Sequence, residues 1–550
     1  MPGRGRGRRQ AAQPRRDRRF HPSTRSSEQK GGNDARRGRS ARETVEELLR
    51  SELGFRGFRP TIEGEAREAA KWAEREDGAR RDLTELATFT VDPATARDFD
   101  DAVSAQREGD GARVWIHIAD VAAHVKPGSL LDQEARRRGN STYVPGAVEP
   151  MLPHALSSEA CSLAPGVERL AVTTEVELGP AMEPRRARFY RSRIRSDARL
   201  NYDELDEVFA GRRQPPAEVA EPLAAAREIA AGLGEHRGGS LEVESFEPEF
   251  RFDPDGNVVA AHGVAQTEAH RLIERLMILN NEQVAELLEG RRVPAIYRVH
   301  APPDAARIER LLEQLAALGV PTPPLKQGLA PREAGRVAAE ASRLVRKEAG
   351  RRGHGREAYT SLVLRSLKQA FYSERNIGHA GLGSSAYCHF TSPIRRYPDL
   401  VCHRALLAAL GEGEEAPTLA ECRDAAADSS ARERASAQIE READDICAAF
   451  LLERELGDRG LDAVFEGEVS GVIRSAAFVS FGGELGDVYE GMLPARRLLG
   501  ERFELDRAEV ALVGRGSGAR VSLGDPISVR VAGVDAPRGR AELEPAGEPA

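Results

Sequence analysis

Apolar residues fall at three- and four-residue steps along most of the chain, switch to two-residue alternation in short runs, and so divide it into parts. Val45, Leu48, Leu49 and Leu53 share one helical face in the segment 42–82. That segment is too short and too charged for a domain and reads as a helical lead-in, broken by Gly54 to Pro60. From Leu83 strand-like runs begin: between Arg113 and Ala119, Val114, Ile116 and Ile118 oppose Trp115 and His117. Helices are predicted over Ala217–Leu233, Ala265–Leu288, Asp304–Leu318, Pro331–Ala349, Glu357–Ser373 and Pro398–Leu410. A last, long one covers Arg423–Leu456, with Ala435, Ile439, Ala443, Ile446 and Phe450 as its apolar positions. Gly457-Asp458-Arg459-Gly460 marks a boundary, followed by strand candidates at Ala463–Val472, Ala476–Phe481, Val488–Leu493 and Ile527–Val534. The pattern predicts a mixed α/β domain over 83–456 and a small all-β barrel of the OB type over 461–545.

Composition places 550 residues, 40% apolar and 31% charged, among soluble globular chains with room for several domains. No apolar run reaches the roughly 20 residues of a membrane span, and the amino terminus is too basic for a secretory signal. Cys161, Cys388, Cys402, Cys422 and Cys447 are scattered and odd in number. They read as reduced thiols of a cytoplasmic protein, neither a disulfide framework nor a zinc site. The net charge of -8 hides an asymmetry: residues 1–41 hold 13 Arg and Lys against 3 Asp and Glu, about +10, leaving about -18 for the remainder. Such a tail cannot bury enough apolar surface to fold, so disorder is expected there. It would attract a polyanion without sequence preference, or serve only as a solubilising tail.

Candidate chemistry concentrates in Asp92-Pro93-Ala94-Thr95-Ala96-Arg97-Asp98-Phe99-Asp100-Asp101, directly after the apolar positions Ala87, Phe89 and Val91. Four carboxylates this close repel one another, and burying them unpaired is costly. Oxygen-only ligation suits Mg²⁺ or Mn²⁺ rather than zinc. In extended chain Asp98 and Asp100 would share a face, with Asp101 opposite and Asp92 set apart by Pro93. The same residues also read as a solvated acidic loop. An EF-hand is excluded, because a loop counted from Asp98 has Val103 where it needs Gly and Gly109 where it needs Glu. Arg395 and Arg396, between Pro393 and Pro398, open a helix whose amino end favours anions; they read as a phosphate grip or as surface charge. In the barrel, Phe465, Phe478, Phe481 and Tyr489 alternate with Arg474 and Arg496, a pattern for holding single-stranded nucleic acid, though any one aromatic can be core. His117 and His124 read as structural.

Several segments together resemble the RNB exoribonucleases, the ribonuclease II and ribonuclease R family, from about Leu83 to the end. They are the four-aspartate run, His117-Ile118-Ala119-Asp120-Val121, Arg138 to Pro145, Met151-Leu152-Pro153, Leu156-Ser157 and Cys161-Ser162-Leu163. Leu272-Ile273-Glu274, Ser366 to Ala370, Asn376 to His379, and His389-Phe390-Thr391-Ser392-Pro393-Ile394-Arg395-Arg396-Tyr397-Pro398-Asp399-Leu400 complete the set. The barrel resembles the OB fold of the ribosomal-protein-S-one type.

The resemblance implies processive 3′-to-5′ hydrolysis of single-stranded RNA to nucleoside 5′-monophosphates by a two-metal-ion mechanism. Asp92, Asp98 and Asp101 correspond to metal ligands, Asp100 to the carboxylate most needed for the chemistry, and Arg395 or Arg396 to the phosphate contact. Glu440, with Glu442 as the fallback, corresponds to a glutamate near the leaving nucleotide. Tyr143 and Tyr297 correspond to aromatics that clamp the terminal base, and Phe478 and Phe481 are the expected stacking residues of the barrel. Mg²⁺ is the implied cofactor, with Mn²⁺ the alternative. The implied partner is single-stranded RNA with a free 3′ end, handled by a monomer. The resemblance stops at the amino end: about 80 residues precede the catalytic segment, without the strand-rich cold-shock domains usual in the family. The Arg-rich tail is expected to take over part of their RNA attraction. Rival readings are a catalytically silent RNA-binding regulator on the same scaffold and a nuclease acting on DNA.

Overall fold

Ser40 opens helix α1 (Ala41–Leu53) by a reciprocal cap: its side chain accepts from Glu43 N while the Glu43 carboxylate accepts from Ser40 N. The computed structural model describes residues 38–547 apart from 55–56, 74–79, 236–246, 265, 325–329, 483–487 and 499. Nearly all of the tail at 1–41, with its expected disorder, lies outside the described residues. From Ser40 onward the chain forms one compact unit. The stretch expected to be a lead-in is built into it. Val45 and Leu49 of α1 join a core with Ile439 and Ala443 of the long carboxyl-terminal helix and with the barrel, and Ile62 of α2 (Pro60–Ala73) joins the core of the main sheet.

That sheet contains β1 (Arg81–Asp82), β2 (Phe89–Asp92), β3 (Asp101–Glu108), β4 (Gly111–Ala119), β5 (Glu168–Leu178), β6 (Pro184–Arg195) and β7 (Ala198–Asn201). Their spatial order is β1-β6-β5-β4-β3-β2-β7, with β1 and β7 added in parallel to an antiparallel centre. The expected edge of the lead-in at residue 82 therefore falls inside the sheet, where Arg81 and Asp82 pair with Ser192 and Arg193. Alternation along β4 is present, yet both faces are covered: Ile116 and Ile118 lie in the apolar core, and His117 is equally buried on the other side. There His117 joins a hydrogen-bonded row across the strands, Thr88–Ser104–His117–Thr173–Ser192, at 2.6–3.1 Å per link. The row satisfies every buried hydroxyl in it and confirms His117 as structural.

Around the sheet stand α3 (Leu130–Arg138), α4 (Glu268–Arg291), α5 (Tyr397–Leu410) and α6 (Leu419–Arg459). The helix expected over Glu357–Ser373 ends at Ser366, and Phe371–Ser373 instead pairs as a strand with Tyr297–Val299. Tertiary pairing wins there: the Tyr372 N–H donates to Ser430 Oγ on α6 at 2.9 Å. Among the described residues no helix is long and apolar enough to cross a membrane.

Past α6, β8 (Val464–Ile473), β9 (Ala476–Phe481), β10 (Tyr489–Pro494), β11 (Pro526–Asp535) and β12 (Arg540–Pro545) close a barrel in the order β8-β9-β10-β12-β11. This is the expected OB-type barrel. Phe465, Phe481 and Tyr489 fill it, their rings 5.3 and 5.5 Å apart in sequence.

Candidate active site

The acidic run is the crossing from β2 to β3, and every turn of it is pinned. Arg199 on β7 donates to Pro93 O and Ala94 O at 3.0 and 2.7 Å and lies 5.0 Å over the Phe99 ring. Ser162 takes the Phe99 N–H at 3.0 Å and donates to Arg97 O at 2.9 Å, while the Ala119 N–H holds Asp100 O at 2.9 Å. The crossing is irregular rather than extended, and both Asp100 and Asp101 feel the charge of Arg395.

Asp100 is 3% exposed. One oxygen accepts from Ile394 N at 2.8 Å and the other meets Arg395 Nε at 3.3 Å. Burial first, then Asp98 and Asp101, outweigh Arg395 and push its carboxyl up to about 8. Asp92 is raised by burial and by Asp101 and Asp100, and Asp101 by burial against the pull of Arg395 and Arg396. Asp92 Oδ2 is buried without a hydrogen-bond partner. Among the described residues no three ligand-type side chains already stand in a closed metal-holding arrangement. What the loop has is uncompensated negative charge, an orphaned carboxylate oxygen and an all-oxygen donor set. Those features fit a hard divalent cation.

Arg395 and Arg396 part company. The Arg395 side chain is 46% exposed, touching Asp100 and, through Nη2, Ser392 Oγ at 3.1 Å. Arg396 is held by the fully buried Asp399 at 2.7 Å, and the same Asp399 oxygen takes the Ser392 N–H at 2.8 Å. Arg396 thus stiffens the loop that aims Arg395. Backbone pairing joins this loop to residues 139–141: Ser141 N donates to Arg395 O and Tyr397 N to Gly139 O, both at 2.9 Å. Gly139 is needed twice over, since its φ is +77° and a Cβ would fall 2.7 Å from Arg432 Cβ on α6.

Tyr143 follows, on the hairpin Thr142–Val144/Ala147–Glu149, and is 41% exposed. Its hydroxyl donates to Asp98 Oδ2 at 2.8 Å, and its N–H donates to Glu440 Oε1 at 3.1 Å. Glu442 is on the exposed side of α6, so of the two glutamates Glu440 is the one that faces this site. Between these elements lies a recess of about 160 Å³, lined among others by Asn140, Tyr143, Tyr372, Arg395, Glu433 and Glu440.

The fold thus brings together Asp92, Asp98, Asp100, Asp101, Tyr143, Arg395 and Glu440. It removes two expected RNA contacts. Tyr297 is 4% exposed and belongs to the main core along with Ile296 and Val299, so its ring offers no stacking face. Phe481 is wholly buried in the barrel. Phe478, three residues away on β9, points outward beside Met492 and stays half-exposed. One neighbour of the acidic loop was not foreseen. Tyr202, immediately after the Asn201 that pairs with Asp92, feels Asp101 and Asp92, and stacks on His270 at 3.9 Å.

Comparison with known proteins agrees with this picture. Ribonuclease R of Vibrio parahaemolyticus is 35% identical over 476 residues, 83% of this chain and 55% of that protein. Ribonuclease R of Aquifex aeolicus is 36% identical over 489 residues, 86% of this chain and 65% of that one. The chain therefore spans between about half and two thirds of these curated relatives. The solved structure of Mycoplasma genitalium RNase R in complex with ribose methylated single-stranded RNA superposes with a TM-score of 0.81 at 25% identity, covering 91% of this chain and 77% of that one. The RNB domain model matches residues 80–412, more than half of the chain, which therefore belongs to the RNB-domain family.

Proposed function

We propose that the chain is a 3′-to-5′ exoribonuclease that hydrolyses single-stranded RNA processively to nucleoside 5′-monophosphates. The observation that carries this reading is the convergence of four carboxylates on one pinned loop, only partly compensated by Arg395, Arg396 and Arg199, beside a recess with an exposed tyrosine. Asp92, Asp98, Asp100 and Asp101 would hold Mg²⁺, in the two-ion form of this chemistry, and the metal would supply an activated water and charge relief at the leaving oxygen. The chain's own residues do the rest. Arg395 presents a half-exposed guanidinium to the scissile phosphate, at a position fixed by Ser392, Asp399 and Arg396. Tyr143 offers a ring face to the terminal base, and Glu440 faces the same nucleotide from α6. Stacking tolerates every base, as an enzyme that consumes any sequence requires. Phe478 on the barrel is the remaining stacking candidate for the incoming strand, and the single-stranded RNA bound in the Mycoplasma RNase R structure supports that partner.

The test is a time course on an oligoribonucleotide labelled at its 5′ end, with Mg²⁺ and with chelator. A ladder shortening from the 3′ end, with release of 5′-monophosphates only when metal is present, is expected. Binding without cleavage would establish the silent regulator instead, and equal cutting of a DNA oligomer would overturn the RNA reading.

A further inference from the structure

The recess runs on from the acidic loop along α6. Ser429, Glu433, Ser436 and Glu440 form one stripe of that helix. Glu440 meets the Tyr143 N–H, and Ser436 meets Asn140 and Thr142 at 3.0 and 2.8 Å. Glu433 is two turns, about 10 Å, further from Tyr143. It lines the recess together with Tyr372, Pro398 and Ser429. Its side chain is 33% exposed, whereas the cation beside it, Arg298, is 15% exposed and already engaged. Arg298 Nη1 contacts Glu433 Oε2 at 2.6 Å, and the guanidinium lies 4.8 Å over the Tyr372 ring. Arg396, also in the lining, is occupied by Asp399.

We infer that Glu433 makes this recess select a 3′-hydroxyl terminus and reject a 3′-phosphate. The inference rests on the reading above that the terminal nucleotide occupies the recess with its 5′-phosphate at Arg395. In that placement, with the base on Tyr143, the 3′ carbon is assigned to the Glu433 side of the recess, along α6. A hydroxyl at that point donates to the carboxylate. A phosphate adds negative charge beside a carboxylate that Arg298 only just balances, with Arg396 already taken by Asp399, so the added charge finds no free partner and is disfavoured.

A nucleoside 5′-monophosphate and the matching 3′,5′-bisphosphate, titrated separately into the full chain, test this without any turnover. The monophosphate should bind at least ~30-fold more tightly, the gap should shrink ~10-fold in Glu433→Gln, and Glu433→Asp should keep it. Rates on oligoribonucleotides ending in 3′-hydroxyl or 3′-phosphate should show the same ordering. Equal binding of the two nucleotides by the wild-type chain overturns the inference. So does a gap that survives Glu433→Gln, or a uniform weakening of both ligands, which would make Glu433 a mere prop for Arg298. Failure to degrade 3′-hydroxyl RNA would strike the functional reading instead, since the nucleotide pair still reports on the recess.

Discussion

Two buried aspartates at the open end of one hairpin, one before its first strand and one after its second, have opposite surroundings. Asp120, 1% exposed, follows β4 and meets Arg80 at 2.8 Å and Arg191 at 3.0 Å, and it caps the next short helix through Ala123 N at 3.1 Å. Burial pushes its carboxyl up, but Arg191 and Arg80 outweigh it and hold it below the usual carboxylate range. Asp100, 3% exposed and just before β3, meets one arginine nitrogen at 3.3 Å and several further carboxylates, and is pushed up to about 8. Both side chains left water on the same sheet. Only one was given enough positive charge to settle there. Charge that the fold itself leaves unbalanced is the mark of a place prepared for something else.

The comparison breaks most sharply under neutralisation. Asp100→Asn should lower nucleotide release by ~10³-fold or more, because several kcal/mol of charge stabilisation are lost, while thermal stability holds or rises as repulsion is relieved. A variant that melts lower and degrades RNA normally would reverse the assignment. Asp120→Asn should do the opposite. It leaves two buried guanidinium groups underpaired, and a loss of ~3–5 kcal/mol in unfolding free energy is expected from denaturant titration. Residual activity per folded molecule should stay near wild type.

Much of this contrast was legible in the chain, and the failures are instructive. The acidic run and Arg395 could be placed because each lies in a short motif whose chemistry is local, whereas Tyr143 and Glu440 came only through the family resemblance. Tyr297 could not be placed: a three-residue strand buries whichever side its partner covers, and that partner, Phe371–Ser373, itself read as helix. Phe478 and Phe481 stand three apart on one strand, so they point to opposite faces, and both could not have served as surface residues. Which of them is inside depends on barrel closure through β12, a strand absent from the sequence reading. Tyr202 reaches the site only because β7 pairs in register with Asp92, a contact across 109 residues that no local pattern encodes.

Metal sharpens the contrast at smaller amplitude. A cation bound by the acidic loop stabilises only the folded chain, by about 2.7 kcal/mol at one hundred times its dissociation constant. Adding Mg²⁺ to chelator-treated protein should therefore raise the melting temperature of wild type and of Asp120→Asn alike, and much less that of Asp100→Asn. An equal rise in all three would place the cation elsewhere.

The smallest effect is read through pH. Burial holds the His117 imidazole down to about 3, whereas the unfolded chain protonates it near ~6.5. The unfolded state thus binds the extra proton between those values, and stability falls as pH drops through that window, by at most ~1.4 kcal/mol per unit for one group. His124 and His403, each lowered by burial to about 4, add to the same slope. The Asp120 contribution behaves differently: with its folded value depressed, it is complete above ~3.9 and is lost only as pH falls through the folded value. The carboxyls of Asp92 and Asp100, raised to about 8, bind protons in the folded chain over the same range as the histidines and oppose their slope. The two contributions are therefore read as differences in unfolding free energy between wild type and variant: the His117→Gln difference should change between about pH 6.5 and about pH 3, and the Asp120→Asn difference only below ~3.9. If Asp120→Asn changes the slope near neutrality, the arginines around it are not what holds its charge, and the contrast with Asp100 loses its physical basis.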